Sequence, residues 1–124
     1  LYPRAAERIL SLGDRMTAEK YEGFEKYGNI GRKHLDDLLK RGCGPVITAS
    51  YLDRDVRGSY SLGSGFIHLS VQLRLSAYEN GEIDGDTFDR TLEHELVHFT
   101  EYFWNDNAYR GEEGWDYIYD VYGD

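Results

Sequence analysis

The pentad His94-Glu95-Leu96-Val97-His98 constrains this chain more than any other feature, because its two histidines stand one helical turn apart. On an α-helix that spacing lets both imidazoles reach a single Zn²⁺, with Glu95 beside the ion and placed to take a proton from water. The surroundings predict such a helix. Asp86 or Thr87 is a suitable N-cap after the turn-like run Glu79-Asn80-Gly81-Glu82-Ile83-Asp84-Gly85, and the helix should reach about Trp104, ahead of Asn105-Asp106-Asn107. At about 100° per residue, Phe88, Leu92, Leu96, Phe99 and Phe103 form one apolar stripe. His94 and His98 lie off that stripe with Thr87, Thr91, Glu101 and Tyr102, and Glu95 sits on the flank nearest the pair. One face packs, and its neighbour presents two imidazoles and a carboxylate.

Composition bounds what this helix can belong to. A chain of 124 residues makes one domain with a real core. The expected division is a helical part over about 1–42 and a sheet-and-site part over about 43–124. Eleven of the residues are tyrosine, which predicts a small core finished by amphipathic rings or a groove lined with them. The formal net charge of −9 argues against nucleic-acid binding, which needs a basic face to neutralise phosphates. The single Cys43 excludes an intramolecular disulfide, and no apolar run approaches membrane-spanning length. No signal peptide is visible, and the chain opens at Leu1 without an initiator Met, so a fragment of a longer protein is expected.

The N-terminal third reads as helices. Tyr2 to Leu12 carries helically spaced Ala5, Ala6, Ile9 and Leu10, with Gly13 as a stop. Thr17 caps a second helix through Tyr21, Phe24 and Tyr27, ended by Gly28. Asn29 is expected to cap a third, through Ile30, His34, Leu35, Leu38 and Leu39, closed by Gly42, with His34 a packed or half-exposed core histidine. From Gly44-Pro45 the pattern changes to strand: 46–49, 51–52, 59–62 and 66–70, punctuated by Gly58, Gly63 and Gly65. Residues 71–75 alternate and could continue the sheet or open a connection. A final helix from about Glu112 to Tyr122 is expected to pack through Trp115, Ile118, Tyr119 and Tyr122.

That last helix bears on the metal. A zinc held by two histidines of one helix needs a third protein ligand, commonly His, Glu or Asp. No His follows His98, so a downstream ligand must be a carboxylate. A helix returning level with His98 brings Asp116 to the best distance. Glu112 and Glu113 have longer reach and stay open, and Asp120 is a weaker choice. Tyr102, Tyr119, Tyr60 and His68 are candidate donors to a reaction oxyanion, and Glu101 or Thr91 to orient an imidazole.

At His94-Glu95-Leu96-Val97-His98 the chain resembles the zincin metallopeptidases, and Phe66-Ile67-His68-Leu69 is similar to the edge strand under which zincins bind an extended substrate. The closing run Glu112-Glu113-Gly114-Trp115-Asp116-Tyr117 through Tyr122-Gly123, and the segment from Tyr27-Gly28-Asn29-Ile30 to Leu39, resemble metallopeptidase toxin domains of bacterial polymorphic toxins and type VI secretion effectors. The resemblance implies a minimal zincin-like α+β domain: N-terminal helices, a small twisted sheet with an edge strand before the motif helix, and a short C-terminal helix. It also implies a zinc endopeptidase with His94, His98 and Asp116 (or Glu113, Glu112) as ligands and Glu95 as general base. Such domains sit at the C-terminus of a larger protein that is secreted or delivered into a target cell, act as monomers on a protein or peptide, and are neutralised by a cognate immunity protein. The competing readings are a non-catalytic zinc-binding interaction module and an inactive zincin scaffold. Glu95 argues against the first, because a structural site needs no base, and the intact motif against the second.

Overall fold

Local signals start and stop the first helices. The computed structural model describes residues 3–41, 44–53, 55–70, 85–105 and 113–123. Helix α1 (Pro3–Leu10) leads into a 3₁₀ turn at Leu12–Arg15. Helix α2 (Ala18–Gly28) begins at Thr17, whose Oγ1 accepts the Lys20 N–H at 3.2 Å and so satisfies one orphan donor of the first turn. Asn29 does not open the third helix. It closes α2 in the left-handed region, φ 50°, which a short polar side chain tolerates, and Gly31 is the N-cap of α3 (Arg32–Lys40). His34 is exposed on α3, its ring 5.8 Å from that of Trp104, rather than packed in the core.

Three short strands follow: β1 (Ile47–Ser50), β2 (Gly58–Tyr60) and β3 (Ile67–Ser70). Their order is β1-β3-β2, with β1 parallel and β2 antiparallel to β3. The run at 66–69, expected at an edge, is therefore the central strand, and β1 and β2 are the edges among the described residues. Ile67 and Leu69 share one face of the sheet and are both buried, on the side packed by the helix that carries the motif. The register pairs Gly58 with Leu69 and Tyr60 with Ile67, so Tyr60 shares the core-facing side, whereas Ser59 and His68 pair on the other. Tyr51, Leu52 and Leu62 fall outside the strands. Gly42, Cys43, the segment 71–75 and the run 79–84 lie outside the described residues.

The motif lies on α4 (Gly85–His98), which begins before both Asp86 and Thr87, so these are first-turn residues and not caps. A π-helical stretch, Phe99–Trp104, continues it and closes with the Asn105 N–H donating to Thr100 O at 3.1 Å. Phe88, Leu92, Leu96 and Phe99 are buried as the stripe predicts, but Phe103 is 55% exposed. A π turn advances each residue through a smaller angle than an α turn, so the stripe drifts off the core after Phe99. Asn105 Nδ2 also donates to Gly28 O, Asn29 O and Thr100 O, tying the end of α2 to this stretch.

Helix α5 (Glu113–Tyr122) packs across α2 and α4. Its core face is Gly114, Tyr117 and Ile118; Trp115 and Tyr119, expected inside, are 57% and 59% exposed. Tyr117 wins the interior because its ring lies 4.8 Å from Phe24 while its hydroxyl donates to Glu93 at 2.7 Å. The whole is a small α+β domain, mostly helical, with a three-stranded mixed sheet among the described residues.

Two carboxylates on α4, one turn apart, are buried and paired. Asp89 accepts from Arg8 Nε and Nη2 at 3.1 and 2.9 Å and from Arg15 Nη2 at 3.0 Å. Glu93, fully buried, accepts from Lys20 Nζ at 3.1 Å, Tyr117 at 2.7 Å and Tyr122 at 2.8 Å. Burial pushes the Glu93 carboxyl above its ordinary range, and Lys20 and the two hydroxyls pull it back. Removing only the cation leaves a buried charge without its counter-ion. Lys20→Met is therefore expected to cost about 3 kcal/mol in urea unfolding; a loss below about 1 kcal/mol would place this pair with the solvent-screened ones.

Candidate metal centre

One turn of α4 separates His94 from His98, and their rings stand 5.0 Å apart, edge to face. Ligand atoms of His94, Glu95 and His98 all lie within 4.8 Å of one another, and these three form the metal-suited group among the described residues. The helix that carries them is fixed on its other sides by the Asp89 and Glu93 networks, so the three side chains are held by a scaffold and not by a loop.

Burial sets their charge. The His94 imidazole is pushed down to about 4, first by burial and then by the neighbouring His98. Burial also lowers His98, against the opposing charge of Glu113. Both rings are therefore neutral near pH 7, the form that offers a nitrogen lone pair to a metal. Burial pushes the Glu95 carboxyl up to about 7. Two atoms of the group, Glu95 Oε2 and His98 Nδ1, are buried with no hydrogen-bond partner among the described residues. Such atoms are costly in a folded protein unless something supplies the missing interaction. Two imidazoles and a carboxylate that converge, uncharged rings and unpartnered buried atoms together fit a divalent cation of the zinc type.

Two backbones close on this group from opposite sides. A methyl at Gly114, in the first turn of α5, would sit 2.6 Å from the His94 ring. Its neighbour Trp115 meets the same ring edge to face at 4.8 Å. On the other side, a methyl at Gly58 of β2 would sit 3.1 Å from Glu95 Cγ. Neither approach was expected. The available signal was a glycine inside a helix and another at the head of a strand, where its lack of a Cβ allows close backbone approach.

The structure sorts the other sequence candidates. Asp116 is exposed and stands outside the group, because Tyr117 and Ile118 take the inward face of α5. Glu113 also stands outside the group but faces inward: its Oε2 accepts the Tyr102 hydroxyl at 2.8 Å, and its charge acts on His98. Asp120 is engaged with Lys26 at 3.4 Å and with Tyr27. Glu112 lies outside the described residues. Thr91 Oγ1 donates to Thr87 O at 2.9 Å instead of to an imidazole, and Glu101 is buried. His68 is on the far face of the sheet, its Nδ1 with Thr48 and Ser50 and its Nε2 with Ser61 at 2.8 Å. Tyr119 is exposed, whereas Tyr102 and Tyr60 both lie against His98, at ring distances of 5.4 and 6.3 Å.

Because the Gly114 backbone leaves His94 no room, Gly114→Ala is expected to displace that ring from the group. Co²⁺ or Zn²⁺ affinity, measured by chelator competition, should fall at least about tenfold while the helical circular dichroism is kept. Unchanged affinity would mean that α5 can retreat without disturbing His94.

No helix among the described residues is long and apolar enough to cross a membrane. No sequence among curated proteins matches the chain, and no solved structure matches its fold. A family model, metallopeptidase toxin 3, matches residues 1–123. That description implies a metal, which the His94, Glu95 and His98 group could hold, and a match along nearly the whole length makes this chain a member of the metallopeptidase toxin 3 family.

Proposed function

We propose that this domain is a zinc-dependent endopeptidase acting as a toxin, with His94 and His98 holding the ion and Glu95 as general base. The observation that carries the reading is the buried convergence of His94, Glu95 and His98 on one turn of α4, with Glu95 Oε2 and His98 Nδ1 unpartnered. A bound Zn²⁺ would supply Lewis acidity, lowering the pKa of a water and polarising the scissile carbonyl. The chain's own residues do the rest. Glu95, with its carboxyl raised toward neutrality by burial, is matched to accepting a proton from the attacking water and returning it to the departing amine. A cation beside it favours the ionised form and makes it the base of the pair.

For the third protein ligand the geometry favours Glu113 over Asp116. Glu113 faces Tyr102 and exerts its charge on His98, whereas Asp116 points to solvent. Tyr102 then orients the Glu113 carboxylate, as outer hydrogen bonds commonly do for metal-binding carboxylates.

The family description supports a protein or peptide substrate and a toxin's delivery into a target cell. We further propose that residues 1–124 act as one monomeric domain at the C-terminal end of a longer protein, restrained by a cognate immunity protein. Co-purification with the product of the adjacent gene would test that restraint.

The catalytic reading is tested on labelled casein. Zn²⁺-loaded wild type should cleave it, EDTA should stop cleavage, and Glu95→Gln should keep the metal while losing roughly 10²–10⁴ in rate. Equal cleavage by Glu95→Gln refutes the assignment. Glu113→Ala should weaken metal binding about tenfold or more, and Asp116→Ala should leave it within about twofold; the reverse pattern would restore Asp116 as ligand.

A further inference from the structure

We infer that Tyr60 is a further catalytic residue, its hydroxyl donating a hydrogen bond to the carbonyl oxygen that becomes an oxyanion when water adds to the substrate. The inference rests on the peptidase reading above and starts from strand β2. The register pairs Gly58 and Tyr60 with Leu69 and Ile67, so both residues face α4. At the first position, the strand backbone lies against Glu95, where a methyl would be 3.1 Å from Cγ and 3.5 Å from Cδ. Two residues further on, the Tyr60 ring lies 6.3 Å from the His98 ring, the planes 28° apart, and 6.1 Å from Tyr102. Strand β2 thus runs along the motif, with its glycine beside the base and its tyrosine beside a metal-suited histidine.

The hydroxyl itself is the second observation. Tyr60 Oη is buried and has no hydrogen-bond partner among the described residues. Five other phenols among the described residues are partnered: Tyr117 and Tyr122 donate to Glu93, Tyr102 to Glu113, Tyr21 to Asp36 and Tyr27 to Asp120. A buried hydroxyl left unmatched is a stability cost with no structural return, unless a ligand supplies the acceptor. The rival donors are engaged or remote. Tyr102 is committed to Glu113, His68 is satisfied on the other face of the sheet, and Tyr119 is exposed.

Chemically, the water oxygen forms a bond to the carbonyl carbon as its proton passes to Glu95, and the carbonyl π pair moves onto oxygen. Collapse of that adduct breaks the C–N bond, and the amine leaves with the proton from Glu95. Tyr60 gives no proton away at any step. It holds a hydrogen bond that strengthens as negative charge develops, which is where a fixed donor in a dry site is most effective.

Tyr60→Phe removes only the hydroxyl and keeps the ring against His98. In the Zn²⁺-loaded domain it should lower kcat on labelled casein by about 10²-fold, with KM and Zn²⁺ affinity within about twofold of wild type. Because the hydroxyl has no partner among the described residues, the urea midpoint should stay level or rise. A midpoint that falls shows the hydroxyl bonded within the fold and overturns the inference, as does a kcat within about threefold of wild type or a loss confined to KM. Glu95→Gln run alongside keeps the two readings apart. Cleavage that depends on Glu95 but survives Tyr60→Phe sinks the inference alone, and cleavage that is absent or indifferent to Glu95 sinks the peptidase reading with it.

Discussion

Two buried carboxylates on α4 organise this molecule. Asp89 and Glu93 stand one turn apart and between them accept from Arg8, Arg15, Lys20, Tyr117 and Tyr122, groups on α1, the 3₁₀ turn, α2 and α5. A desolvated carboxylate holds only if donors surround it, so the helices that bring those donors cannot drift independently of α4. His94 and His98 form a second one-turn ladder, which begins at the residue after Glu93. The side of α4 that binds the protein to itself and the side that presents imidazoles are therefore set by the same helix, in fixed rotation to each other.

That rotation is passed on to the surroundings of the site. Tyr117 and Tyr122 draw the inner face of α5 onto Glu93, and the first turn of the same helix then lies over the histidines, with Gly114 against His94 and Glu113 toward His98. The sheet closes the other side, where Gly58 of β2 meets Glu95 and Tyr60 meets His98. Dry walls on both sides account for the direction of every resolved shift in the motif: imidazoles lowered, carboxyl raised. Burial of that kind strengthens whatever charge interactions form among these groups.

Much of the scaffold was legible because it is written in short-range pattern. Thr17 caps α2, the helix ends at Gly28 with Asn29 as its cap, and Phe88, Leu92, Leu96 and Phe99 pack as their spacing predicts. The errors share a cause. Asn29 could cap either neighbouring helix, and only the path of the chain between them assigns it to α2. The inner face of α5 is not legible in the sequence because Trp115, Tyr117, Tyr119 and Tyr122 place aromatic rings around much of the helix, so hydrophobicity alone gives it no preferred side. Glu93 gave no sign of burial, since an acid on a helix reads as solvated until its donors, distant in sequence, are known. The central place of β3 depends on pairing with strands on both sides, which residue alternation within one strand does not encode.

The sequence by itself determined that two imidazoles and a carboxylate would share one turn of an amphipathic helix, because side-chain direction along a helix is a local property of its 3.6-residue repeat. Only the tertiary structure decided what meets them. A rotation of α5 by about 60° would turn Asp116 to the side that Glu113 now faces, and local preference within α5 does not fix that angle. It is set by Tyr117 and Tyr122 finding Glu93, and the choice among tyrosines is likewise set by the register of β2 on β3. Both are contacts between segments far apart in the chain, where packing and buried hydrogen bonds outweigh local preference.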